Sequence, residues 1–161
     1  MEMRFRGRMW PWGAIAVLAA LALGAGLFYW LRTSPAPRID PNDAAQVARG
    51  QAAYSAQCAR CHGANLEGQP NWRVRLANGR LPAPPHDASG HTWHHPDVDL
   101  FNITRNGIGP YAPAGYQSDM PAFAGVLSDA EIAAVLAYIK SRWPADIRER
   151  QARMSRQAQG Q

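Results

Sequence analysis

Cysteine is nearly absent from this chain: its 161 residues hold two. Two thiols allow at most one bridge, which excludes a small scaffold stapled by several disulfides. Internal repeats and long low-complexity tracts are missing too, so a repeat array does not fit. Between the segments that look helical, the chain is Gly/Pro-rich and shows no convincing apolar/polar alternation, so strands are not expected. Hydrophobic residues nonetheless make up 47% of the chain, the globular norm, which excludes disorder throughout. The length suits one domain of ordinary size rather than a multidomain enzyme.

Charge is missing from one place in particular. Met9 to Leu31 is a run of 23 residues without a charged side chain, bounded by Arg8 and Arg32. As a helix it would reach ~34 Å, enough to cross a bilayer core. Trp10 and Trp12 lie at one end and Phe28, Tyr29 and Trp30 at the other, the interfacial positions such rings favour. Arg4, Arg6 and Arg8 precede the run, which keeps residues 1–8 cytoplasmic and sends residues 32–161 outside. A cleaved signal peptide is the rival reading. Ala22-Leu23-Gly24 is its best cleavage site, but cutting there would leave Leu27 to Leu31 as an apolar new terminus. Pro35, Pro37 and Pro41 make residues 32–41 an extended linker of short reach, so the outer domain works close to the membrane.

The two cysteines stand in Cys58-Ala59-Arg60-Cys61-His62, a C-x-x-C-H motif. Thiols one helical turn apart can both reach the vinyl groups on one edge of a haem and form thioethers, and the adjoining imidazole can ligate the iron. Three rivals compete. A thioredoxin-like dithiol would follow a strand, whereas Asn42 to Gln57 is Ala- and Gln-rich and looks helical. A zinc site would need a fourth ligand, such as His91, His94 or His95. A plain disulfide leaves His62 without a role.

Two further helices are expected. Ser128-Asp129-Ala130-Glu131 is a capping box, followed by Ile132, Val135, Leu136 and Ile139 on one face, with Pro144 limiting extension. A shorter helix spans Asp97 to Asn106, with Leu100, Phe101 and Ile103 inward and Gly107 as the stop.

In these motifs residues 44–143 resemble the class I c-type cytochromes. Gly50 and Tyr54 lie upstream of the haem motif, and Leu136-Ala137-Tyr138-Ile139 is similar to the closing L-x-Y-[IL] segment of that family. The resemblance implies an all-α, small cytochrome c-like helical domain around one haem, here preceded by one N-terminal transmembrane helix. It implies that Gly50 and Tyr138 meet where the first and last helices cross. It also implies that a proline-containing loop after the motif supplies a carbonyl to the ligating histidine, from Pro70 or from Leu81-Pro82-Ala83-Pro84-Pro85. The organisation expected is residues 1–8 cytoplasmic, 9–31 anchor, 32–41 linker, 42–143 cytochrome domain and 144–161 a charged, solvated tail.

Of five methionines, only Met120 lies inside the domain, in Ser118-Asp119-Met120-Pro121, similar to the family's M-P loop. A thioether there would close the sixth iron position and favour electron transfer. His86, His91, His94 and His95 are the rival ligands. The same four could instead hold copper or zinc, or simply line a surface loop, and Trp93 covers a haem edge or packs as core.

The expected site is thus Cys58, Cys61, His62 and Met120, the last two on the iron of one covalently attached haem c. The expected function is a membrane-tethered monohaem electron carrier, not an enzyme. It would serve respiratory or dehydrogenase partners on the outer, periplasmic face of a bacterial inner membrane, held in the lipid by residues 9–31. A haem subunit of a larger membrane oxidoreductase is the alternative. A haem enzyme or sensor with an open iron site is a third reading. The net charge of +5 does not contradict this. Residues 1–37 carry four arginines and one acid, residues 142–161 five arginines and two acids, and residues 38–141 eight bases and nine acids. The domain is therefore not basic, and neither nucleic acid nor a small organic substrate is expected as a partner.

Overall fold

The structure, a computed structural model, describes residues 12–33 and 37–160. The chain divides into two units, parted between residues 35 and 36.

The first unit contains α1, Trp12–Thr33. Its side chains are described for Gly13 and residues 15–26, and there Ile15, Val17, Leu18, Leu21 and Leu23 are all exposed. Among the described residues no helix is long and apolar enough to cross a membrane. Residues 9–11 of the expected anchor, and its side chains at 12, 14 and 27–31, lie outside the described residues.

The second unit begins before the expected boundary. Gln46 donates to the Arg38 carbonyl (2.8 Å) and accepts from the Asp40 N–H (2.8 Å), so residues 38–40 are tied to the domain rather than free as a linker. Asp43 caps α2, Ala44–Gln57, by accepting from the N–H groups of Ala45 and Gln46. One residue later α3, Ala59–His62, closes a single turn. A long irregular loop follows, ending in a 3-10 turn at Thr92–His94. Next come α4, Asp97–Asn106, a 3-10 turn at Gly109–Tyr111, and α5, Asp129–Ser141. Both halves of the expected Ser128/Glu131 capping box are present. Among the described residues there is no β-strand, only one isolated bridge between Ala124 and Leu127.

The core is the crossing of α2 and α5. Every residue of α5 from Ile132 to Lys140 is buried. The helices close on each other at Gly50, where an added Cβ would lie 1.9 Å from the Ala134 carbonyl oxygen and 3.0 Å from Tyr138 Cβ. Glycine is thus required by contact rather than by backbone angle. Tyr54 packs beside it, its ring 5.4 Å from that of Tyr138.

Two expectations need correction. In α4 the inward set is Leu100, Phe101 and Thr104, with Ile103 only half-buried. Thr104 can be buried because its hydroxyl donates to the Leu100 carbonyl at 2.8 Å, leaving no polar group unpaired. The segment 144–161 is also no solvated tail. Its residues Ala145–Gln159 form α6, packed on α4 and the Thr92–His94 turn. What it buries is polar: Gln151 and Ser155. Gln151 Nε2 lies 2.7 Å from Asp97 Oδ1 and 3.1 Å from the His95 carbonyl, and Ser155 Oγ accepts from the Asp97 N–H at 2.9 Å. Lys140, reaching from α5, donates to both oxygens of Asp97 at 2.6 and 2.8 Å. An apolar periodicity search passes over a face held this way.

Candidate functional site

Cys58 and Cys61 flank the first turn of α3, and neither is in a disulfide. The junction is held by backbone bonds: the N–H groups of both Cys61 and His62 point to the Cys58 carbonyl. The two thiols therefore lie one turn apart on a rigid corner, next to the domain core. Burial, and then the neighbouring Cys61, push the Cys58 thiol up to about 11, so it stays protonated near neutral pH.

His62 is buried. Its Nδ1 lies 2.8 Å from the Pro84 carbonyl oxygen. A carbonyl can only accept, so Nδ1 carries the proton and Nε2 is left with a lone pair for a metal. Burial holds the imidazole below its ordinary range, with the Pro84 bond acting in the opposite sense, so the ring is neutral, as a ligand must be. The supporting carbonyl comes from the Leu81–Pro85 segment and not from Pro70. Close approach brings it there. A Cβ at Gly68 would lie 2.4 Å from Pro85 N, and one at Gly90 would lie 2.0 Å from the Pro85 carbonyl oxygen. Tyr54 completes the corner by donating to the Gly63 carbonyl at 2.8 Å.

Met120 approaches from the opposite part of the chain. It packs, with Cys58 and Ala59, against the same apolar cluster. Its N–H donates to Ser118 Oγ at 3.0 Å. It lines a cleft of about 470 Å³ together with Ile108, Tyr116 and Arg80. Arg80 pairs with Asp119, and Arg75 lies over the Tyr116 ring, so the long loop covers the methionine loop. Cys58, Cys61 and His62 do not line this cleft or the neighbouring one of about 450 Å³. The structure thus brings the C-x-x-C-H residues together, with Met120 packed on the same apolar cluster.

Of the remaining histidines only His91 and His95 meet, edge-on with ring centres 5.7 Å apart. His86 stacks on His62, His91 on Trp72, and His94 on Trp93. Among the described residues no group of three or more His, Cys, Asp or Glu side chains is placed to hold a metal ion. Trp93 is half-buried, donating to the Ala88 carbonyl at 3.3 Å with Arg150 over its ring. Two residues at the site escaped sequence reasoning, His86 in its stacked role and Trp143, whose indole donates to the His86 carbonyl at 2.7 Å. The only available signal was a tryptophan placed just before Pro144 at the end of an apolar helix.

A family model described as Cytochrome c matches residues 47–143. The chain belongs to the cytochrome c family. Comparison with curated proteins and with solved structures returned no match. Membership agrees with the all-helical second unit and implies haem c and haem-based electron transfer; members of the family are generally electron carriers rather than enzymes. The donor set suits that cofactor: two unbridged thiols one turn apart, a neutral imidazole with Nε2 available, and a thioether bordering the same apolar cluster.

Proposed function

We propose that this chain is a membrane-tethered electron carrier with a single haem c. The observation that carries the reading is the Cys58/Cys61/His62 corner, in which the Pro84 carbonyl settles the tautomer of the one histidine adjoining both thiols. Haem c bound there supplies a one-electron ferrous/ferric couple. Cys58 and Cys61 would hold it through thioethers, and His62 would offer Nε2 to the iron. The Met120 thioether would be the second protein ligand to that iron, a soft donor that favours the reduced metal and would shut out small ligands. Tyr54, through the Gly63 carbonyl, and Pro84 hold the His62 side in place.

Residues 9–31 anchor the chain. The charge-free run between Arg8 and Arg32 and the exposed apolar side chains of α1 support this part of the reading. The haem domain then lies on the periplasmic face of a bacterial inner membrane, where the tether raises its concentration at respiratory or dehydrogenase partners.

The visible spectrum of chain matured outside the cytoplasm tests the site. Reduced bands that survive acid–acetone extraction, and a ferric Met-to-iron charge-transfer band absent from Met120→Ala, are the expected results. Covalent haem that persists in Cys58→Ser/Cys61→Ser, or ready binding of carbon monoxide at neutral pH, would overturn it. For the anchor, the expected result is sedimentation of the full chain with membranes after a carbonate wash, and release on deletion of residues 1–31.

A further inference from the structure

We propose that His86 is a positioning residue that fixes the plane of the His62 imidazole. The proposal rests on the reading of His62 as an axial iron ligand. The Pro84 hydrogen bond holds one atom of the His62 ring and leaves its face free to rock about that contact. The His86 ring supplies the face: the two ring centres are 4.0 Å apart and the planes differ by 21°.

A stacked side chain orients its neighbour only if it is held itself, and His86 is held at three points. Its N–H donates to the Leu66 carbonyl at 2.7 Å, and its carbonyl accepts from Trp143 Nε1 at 2.7 Å. Its Nδ1 lies 2.7 Å from Thr92 Oγ1, whose own proton is directed at the Pro85 carbonyl 3.5 Å away. Leu66, Thr92 and Trp143 are all buried, so the anchors belong to the apolar core and to the Thr92–His94 turn. The backbone between the two contacts is Pro84-Pro85, which has little torsional freedom. One short segment therefore grips the His62 ring at an edge, through Pro84, and at a face, through His86.

The orientation of an axial imidazole selects which iron d orbital holds the unpaired electron of the ferric state, and so sets the order of the hyperfine-shifted haem methyl signals. The test uses the haem-loaded full chain in the ferric state, with proton NMR of those four methyls. His86→Phe keeps a flat ring against His62 and is expected to retain the wild-type order. His86→Ala removes the ring and is expected to reorder the methyls, while the Soret band and Met-to-iron band persist. Thr92→Val loosens the His86 ring without removing it and is expected to shift the methyls in the same direction, by less. Wild-type methyl order in His86→Ala would overturn the proposal. Should His86→Ala fail to mature, wild-type order in Thr92→Val would overturn it instead. Loss of the low-spin spectrum in His86→Phe would also overturn it, because His86 would then be a ligand. Failure of the underlying reading shows separately, as a low-spin spectrum that survives His62→Ala.

Discussion

Gly50→Ala adds one methyl group where two helices touch. The new carbon would meet the Ala134 carbonyl oxygen at 1.9 Å and its carbon at 2.4 Å, where ordinary contact begins at 3.4 Å. The atoms it meets are backbone in the middle of α5, so no rotamer change relieves the clash. The helices must part by about 1.5 Å at the crossing. Gaps of ~0.5–1 Å already forfeit a quarter to a half of a contact's dispersion energy, so the Tyr54–Tyr138 packing is lost with the crossing. Overpacking of this kind costs ~1–3 kcal/mol, and a backbone clash belongs at or above the upper end. Alanine returns about 1 kcal/mol through helix propensity. The net loss is about 2 kcal/mol or more. With a guanidinium slope of roughly 4 kcal/mol per molar, the unfolding midpoint falls by about 0.5 M. The measurement is guanidinium unfolding of the haem-loaded full chain in detergent, read at the haem absorbance. Gly109→Ala is the control, because a Cβ there meets nothing within 4 Å. An unchanged or raised midpoint for Gly50→Ala would refute the packing argument.

Four further outcomes follow from other contacts of the fold. Lys140→Met leaves the half-buried Asp97 carboxylate with only the Gln151 side chain beside it, and is expected to cost about 3 kcal/mol by the same assay. A loss under 1 kcal/mol, or no recovery on adding Asp97→Asn, would show that the pair contributes little. Tyr54→Phe removes the donor to the Gly63 carbonyl and is expected to cost about 1 kcal/mol, with haem attachment intact. Ser128→Ala breaks the capping box for about 1 kcal/mol. The Glu131 carboxyl is held below the usual carboxylate range by the Ser128 N–H first and its hydroxyl second. The folded state therefore binds this proton less readily than the unfolded chain. The stability it gives is present above the ordinary carboxylate pKa and is lost as pH falls through the lowered one. Glu131→Gln is thus expected to flatten the acid limb of the stability curve, and an identical limb would count against the capping box.

Local chemistry was legible in the sequence wherever one physical rule acts on neighbouring residues. Ser128 and Glu131 announce a helix start because the bonds they make are three residues apart. Asp97 to Asn106 is bounded by Pro96 and Gly107, and the helix has those limits. The tautomer of His62 was legible only as the demand for a carbonyl after the motif. Naming Pro84 required the fold, because the approach depends on Gly68 and Gly90 closing on Pro85 from two sides of a loop that has no periodicity. α6 was missed for a related reason. Its inner face is Gln151 and Ser155, and polar residues count as buried only once their partners, Asp97 and the His95 carbonyl, are known to lie within reach.

The loop between α3 and α4 therefore has a different standing from the rest of the chain. It adds little regular structure, yet its contacts run to both axial residues of the proposed site. Pro84 and His86 hold His62, while Arg80 pairs with the residue next to Met120. The first set is half-buried and backed by the buried Trp143, whereas the Arg80 and Asp119 side chains are 36% and 57% exposed. Exposed pairs contribute ~0–1 kcal/mol, while breaking the contacts to the buried His62 and Trp143 leaves unpaired groups at ~1–3 kcal/mol each. The two ends of one loop thus hold their ligands with unequal strength. Substitutions at Arg80 are expected to raise the rate at which added imidazole displaces Met120 by no more than about fivefold, the factor equivalent to 1 kcal/mol. Substitutions at Trp143 act on the His62 side and should leave that rate unchanged while lowering the unfolding midpoint. A larger effect from Trp143 than from Arg80 on imidazole displacement would show that the two ends do not act separately.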